Sequence, residues 1–345
     1  MSTTELVETS EHDSQAGTAH PRGRALLHFL ENWVLLWLLL LVALFFVLNP
    51  TTREVFASTE NLGLLTGNQA VIILLALAVL CPLVAGHFDF SIGATHALSA
   101  VVCAAAMANY GYSLPIAIVL AVAVGLLVGL VNGILVAVFK LNSFIITLGI
   151  STLIAGIISW YTNGQTIAAG ISESLTGFGS ETLFGLPRLV YLVGALVLAT
   201  WYLLTQTPYG RKLYAIGANV RSARLVGISV DRHVLLSFVI AGFLAGVAGV
   251  MAVARTGAAT SNNGTSALFP AIAAVFLGAT VVQPGRFNVF GTVIGVTFVA
   301  VSVSGLTLMG AADWVDPVFN GLALVLAVGL STLLRRRRTG SADIE

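Results

Sequence analysis

The sequence predicts an all-α, polytopic membrane protein with about ten transmembrane helices and with its N and C termini in the cytoplasm. Three observations lead there. Hydrophobic residues make up 57% of the 345 and charged residues only 9%, so lipid rather than water must solvate most of the surface. The mean hydropathy of +0.95 says the same. Ten apolar segments are long enough, or nearly so, to cross a hydrocarbon core of about 30 Å: 33–48, 68–85, 92–109, 114–139, 144–161, 189–205, 234–254, 270–282, 289–309 and 318–334. An even number of crossings puts both ends on one side. With that side cytoplasmic, thirteen of the sixteen Lys and Arg residues lie inside and only Arg53, Arg188 and Arg255 outside.

Taken in order, residues 1–26 form a polar, mildly acidic cytoplasmic tail, 27–334 the transmembrane domain, and 335–345 a basic tail. The first apolar run exceeds the 7 to 15 residues of a signal-peptide core, so no cleaved leader is predicted. The Arg335–Arg338 run reads as a stop at the inner membrane surface, and no nucleic-acid partner is expected. Cys81 and Cys103 sit in apolar stretches without metal spacing and read as small core residues.

Between the second and third segments, residues 86–93 read GHFDFSIG. The two glycines suggest a broken helix or re-entrant turn in which Asp89 and Ser91 cap the next helix. An acid near membrane depth also fits direct contact with a solute or ion. His87 beside Asp89, and His96 just after Gly93, allow a further reading as a proton relay. Glycines recur at four-residue spacing as Gly125, Gly129 and Gly133, as Gly242 and Gly246, and as Gly291 and Gly295. These stripes predict close helix packing, within the chain in preference to between subunits. The fifth segment begins with Asn142, Ser143, Thr147, Ser151 and Thr152, a hydroxylic face that either lines a wet cavity or returns its hydroxyls to the helix backbone. Two exterior loops are expected, at 162–187 and 255–269, the second holding an Asn263-Gly264-Thr265 acceptor tripeptide.

The longest polar interruption, 209–233, carries Arg211, Lys212, Arg221, Arg224 and Arg232. Asn219 as N-cap and Gly227 as C′ residue frame a helix of about two turns outside the lipid. Val220, Ala223 and Val226 make a small apolar stripe on it, flanked by Arg221 and Arg224. The loop is either a docking surface or an ordinary basic loop that fixes topology. No GxxxxGK[ST] occurs, since the only lysines are Lys140 and Lys212, and neither HExxH nor GxSxG is present. No catalytic residue, metal site or cofactor is therefore assigned to this chain.

Six stretches taken together resemble a known family: GHFDFSIG at 86–93, LNSFIITLGIST at 141–152, YGRKLYAIGANVRSARLVGISV at 209–230, AGFLAGVAGVMAVAR at 241–255, AIAAVFLGAT at 271–280 and GRFNVFGTVIG at 285–295. They run in one order along most of the chain and are similar to the permease subunits of bacterial ABC importers of the ribose, xylose and galactose class. The resemblance implies a homodimer in the lipid of the bacterial inner membrane, a cytoplasmic ABC ATPase, and a periplasmic or lipid-anchored sugar-binding protein. It also implies that 209–233 holds the coupling helix, with Arg211, Asn219, Arg221, Ala223, Arg224 and Gly227 engaging the ATPase. The solute expected is a monosaccharide or similar small polyol, with Asp89, Ser91, Asn142, Ser143 and Thr147 along its pathway. The alternative from another class is a proton-coupled secondary transporter using Asp89 and His87.

Overall fold

The structure, a computed structural model, describes residues 33–260 and 263–339. The polar tail at 1–26, with Arg22 and Arg24, lies outside the described residues. Each predicted span is a helix, and several boundaries differ for physical reasons. α1 (Val34–Leu48) and the one-turn α2 (Arg53–Phe56) precede α3 (Thr59–Val84), whose N-cap Ser58 accepts from the Asn61 N–H at 3.1 Å. α3 therefore begins nine residues before the apolar run at 68, because a side-chain cap starts a helix where hydropathy alone gives no signal. At the other end Pro82 lies in the last turn and Gly86, at φ +85°, reverses the chain.

α4 (Ile92–Ala108) follows the 86–91 loop, and α5 (Leu114–Gly133) passes into a π turn at Ile134–Val138. α6 (Ser143–Thr162) is capped by Asn142, whose Oδ1 accepts from the Ile145 N–H at 3.2 Å. The expected exterior loop at 162–187 is instead partly ordered. It contains α7 (Glu173–Ser180) and a two-stranded hairpin, β1 (Thr182–Leu183) with β2 (Leu186–Pro187). This hairpin is a small departure from an all-α fold.

α8 (Arg188–Trp201) also ends in a π turn, Tyr202–Gln206. Next come α9 (Pro208–Ala218), α10 (Val220–Leu225) and the long α11 (Val230–Thr256). α12 (Asn263–Gly278) carries Pro270 in its interior. The apolar run expected from 270 begins seven residues into this helix, so the preceding loop is shorter than the expected 255–269. The Asn263-Gly264-Thr265 tripeptide accordingly falls inside a helix. α13 (Val289–Leu308), capped by Asn288, and α14 (Val315–Thr339) complete the chain, with α14 running through the basic stretch at 335–338.

Among the described residues six helices are long and apolar enough to cross a membrane. Four shorter apolar helices, Val34–Leu48, Ile92–Ala108, Ser266–Gly278 and Val315–Gly329, accompany them. α11 is the hub, packed on α3, α4, α5 and α7. The glycine stripes make this packing possible. A Cβ on Gly125 would stand 2.5 Å from the Gly242 carbonyl, and one on Gly242 would stand 2.3 Å from the Gly125 carbonyl. Gly295 of α13 likewise faces Ala274 of α12, where a Cβ would meet the carbonyl at 2.2 Å. All three stripes thus serve packing within the chain, since lipid supplies no hydrophobic force to hold helices farther apart together.

Candidate functional site

Two polar features lie at the end of the bundle that carries the 207–229 segment. The first is an elbow of two helices. Thr207 caps α9, accepting from the Gly210 N–H at 3.3 Å, and Pro208 occupies the first turn. Asn219 then ends α9 and starts α10, its Oδ1 accepting from the Ser222 N–H at 2.9 Å. Gly227 takes φ +80°, the left-handed conformation expected of a residue just past a helix end. The cap and the terminator are where the sequence placed them. The additional helix α9 was not foreseen, because its apolar residues alternate with Arg211 and Lys212 inside a stretch read as one polar loop.

The apolar stripe divides on folding. Ala223 is buried against the protein, and its carbonyl accepts from the Ile228 N–H at 3.0 Å. Leu225 and Val226, by contrast, are 88% and 75% exposed. Ala223 therefore seats the elbow, and the outward surface consists of Val220, Leu225, Val226, Arg221 and Arg224. Arg211 is exposed on α9 and donates to the Gln206 carbonyl at 3.0 Å.

The elbow is tied to the bundle at four points. Gly217 lies so close to α3 that a Cβ there would stand 2.0 Å from the Val84 carbonyl. Tyr209 stacks on His233 with centroids 5.6 Å apart and donates to the His233 carbonyl at 3.2 Å. Tyr214 donates to the Phe287 carbonyl at 2.7 Å, and the Arg286 guanidinium lies 3.8 Å from its ring centroid. Burial pushes the Tyr214 hydroxyl up to about 12, with Arg286 opposing, so it stays a proton donor through the physiological range. Finally, Asp231 pairs with Lys140 and lies 3.7 Å from Arg224.

The second feature is the 86–91 loop. Asp89 is 5% exposed, and its Oδ1 accepts both the Ser91 N–H at 2.9 Å and the Ser91 hydroxyl at 2.6 Å. Asn132 of α5 in turn donates to Ser91 Oγ at 2.7 Å. The start of α6 braces the same loop. Phe90 N–H donates to Thr147 Oγ1 at 2.9 Å and Phe88 N–H to Ser143 Oγ at 3.3 Å. Thr147 is fully buried and also donates to the Ser143 carbonyl at 2.8 Å. The hydroxylic face of α6 thus satisfies loop and helix backbone at Thr147 instead of walling a wet cavity there. Asn142 is exposed in its capping role.

The histidines do not form a relay with Asp89. His87 faces Phe238 of α11, with ring centroids 6.2 Å apart. His96 is buried on α4, and among the described residues its Nδ1 has no hydrogen-bond partner. Asn132 was missed altogether. A lone amide within 114–139 was its only signal, because the residue it bonds lies 41 positions away.

Comparison with known proteins adds a whole-chain view. The family model described as branched-chain amino acid transport system, permease component, matches residues 61–328. The ribose import permease protein RbsC of Escherichia coli is 32% identical over 309 residues, covering 87% of this chain and 95% of that protein. Its Haemophilus influenzae namesake is 30% identical, covering 84% of this chain and 90% of that protein. The autoinducer 2 import system permease protein LsrC of Escherichia coli is 31% identical over 310 residues, with 90% of each chain covered. No solved structure matches the chain.

Proposed function

The chain belongs to the family of branched-chain amino acid transport system permease components, and we propose that it passes a monosaccharide or similar small polyol across the membrane. It is the membrane-spanning permease subunit of an ATP-driven ABC importer, a multi-pass protein of the bacterial inner membrane. It is not an enzyme, and ATP is hydrolysed on a separate subunit. Relatives of matching length that import ribose and autoinducer 2 support the solute class.

The observation that carries the coupling role is the exposed Leu225–Val226 turn beyond the capped helix α10. Two large apolar side chains held in water by a rigid, bundle-anchored elbow favour a protein groove as their partner. We assign the cytoplasmic ATPase to that groove, with Arg211, Arg221 and Arg224 at its rim. Asn219, Ala223 and Gly227 fix the geometry. The ten-span reading with both ends cytoplasmic puts this elbow inside, and the Lys and Arg distribution supports it. An exported sugar-binding protein would then meet the opposite end.

The 86–91 loop, with Asp89 and Ser91, braced by Ser143 and Thr147 and neighboured by the Asn142 cap, shapes the inner end of the pathway. Homodimerisation fits the apolar outer face of α6, where Leu148, Leu153 and Trp160 are exposed and Gly149 and Gly156 leave room for a close neighbour. Lipid covers the remaining apolar surface. Charge reversal at Arg221 and Arg224, or Gly227→Pro, which cannot adopt φ +80°, tests the coupling assignment. Membrane insertion should persist while ATPase co-purification falls severalfold. Wild-type recovery of the ATPase together with wild-type uptake would sink it.

A further inference from the structure

At the opposite end of the bundle from the elbow, α3, α12, α13 and α14 enclose a cleft of about 310 Å³. Small-molecule pockets run from roughly 300 to 1,000 Å³, so this one suits a compact ligand. Its lining is unusual for a protein in lipid. Asn68 and Gln69 enter from α3, Ser304 from α13, and Asp316 and Asn320 from α14.

Asn320 is the informative residue. It is 7% exposed, and its Nδ2 donates to the Asp316 carbonyl at 3.0 Å and also to the Asp316 carboxylate. Both partners are acceptors, so the amide nitrogen must face them and the oxygen cannot be exchanged into that position. Oδ1 is thereby fixed away from Asp316, and among the described residues this buried atom accepts nothing. A buried acceptor without a donor is costly, and a ligand hydroxyl that displaces the side chains covering Oδ1 would relieve that cost.

We infer that this cleft is a receiving site for a polyhydroxylated solute, held by Asn320 Oδ1 with Asn68, Gln69, Ser304 and Asp316 around it. The chemistry is specific to vicinal hydroxyls. Each hydroxyl both donates and accepts, and the amides of Asn68 and Gln69 offer an acceptor and donors side by side, while the Asp316 carboxylate accepts only. The rest of the lining is apolar, with Leu64, Leu65, Ile72, Pro270, Val299 and Val303, and suits the C–H face of such a solute. The inference rests on the importer reading and adds to it where in the protomer the solute first binds.

Cysteine protection tests it on the full-length chain in native membranes. The natural Cys81 and Cys103 are both buried, so Ser304→Cys supplies a single accessible thiol in the cleft. D-ribose, D-galactose and mannitol, each at tens of millimolar, are the probes, with leucine as the control. At least one polyol should slow modification by an impermeant thiosulfonate by about threefold or more, and leucine should not. Adding Asn320→Ala should abolish the protection, and Gln69→Ala serves if that variant fails to insert. Protection by no polyol, equal protection by leucine, or protection that survives both substitutions would overturn the assignment. Recovery of the ATPase from wild-type membranes is scored separately. Failed protection with the ATPase present sinks the cleft alone, whereas a missing ATPase sinks the importer reading.

Discussion

A carboxylate that caps a turn and a carboxylate that carries a proton fail differently when the charge is removed. Asp89 accepts two hydrogen bonds from Ser91 through one oxygen, so Asp89→Asn keeps the acceptor while Asp89→Ala orphans a buried N–H and hydroxyl. The alanine variant should lose about 1–3 kcal/mol of thermal stability in detergent, and the asparagine variant much less, with uptake retained. Abolished uptake in a stable Asp89→Asn would instead show that the ionised form is required and revive a proton-coupled mechanism. The Asp-x-Ser turn was legible as a local pattern, but the expected helix cap does not form: Asp89 holds Ser91 itself, and neither side chain bonds a backbone N–H within α4. The third member, Asn132, was not legible, since its bond to Ser91 bridges two helices that only the tertiary fold brings together. In the same way, Asn219 and Gly227 could be read from the sequence as helix punctuation. The inward turn of Ala223 could not, because it depends on which side of α10 meets the bundle.

Helix packing follows a similar division. Glycine at four-residue spacing announces a close contact without naming the partner, and only the folded chain pairs α5 with α11 and α12 with α13. The distinction can be measured with one methyl group. Gly125→Ala places a Cβ 2.5 Å from the Gly242 carbonyl, and neither backbone can yield without parting the helices. Its cost should be about 1–3 kcal/mol, read as a lower unfolding temperature in detergent. Gly194→Ala on α8 meets nothing within 4 Å and should be neutral, or stabilising by up to about 1 kcal/mol through helix propensity. Equal effects at the two sites would contradict the packing account. Boundaries were least legible where a polar cap extends a helix beyond its apolar run, as at Ser58, or where a proline lies inside one, as at Pro270.

On the scale of the whole molecule, the elbow is joined to elements distributed across the bundle. Gly217 meets the end of α3, Tyr209 the start of α11, and Tyr214 the turn between α12 and α13. A push on α10 therefore cannot be absorbed locally; it must move those helix ends together or break a contact. The Tyr214 contact is the most separable of these. Tyr214→Phe removes the hydrogen bond to the Phe287 carbonyl while keeping the ring under Arg286, and Arg286→Ala removes the cation–π contact while keeping the hydroxyl. Neither residue lies on the exposed Leu225–Val226 surface, so ATPase recovery should be unchanged in both variants. What should fall is the solute imported per ATP hydrolysed by the reconstituted importer. Residues along a coupling path typically change coupling by about 0.5–2 kcal/mol, which predicts a loss of about two- to thirtyfold in that ratio. The double variant should lose less than the product of the two single losses, because both changes loosen the same joint. Parallel decline of hydrolysis and uptake, or full retention of both, would mean that the force from the ATPase enters the bundle through α3 or α11 and not through the α12–α13 turn.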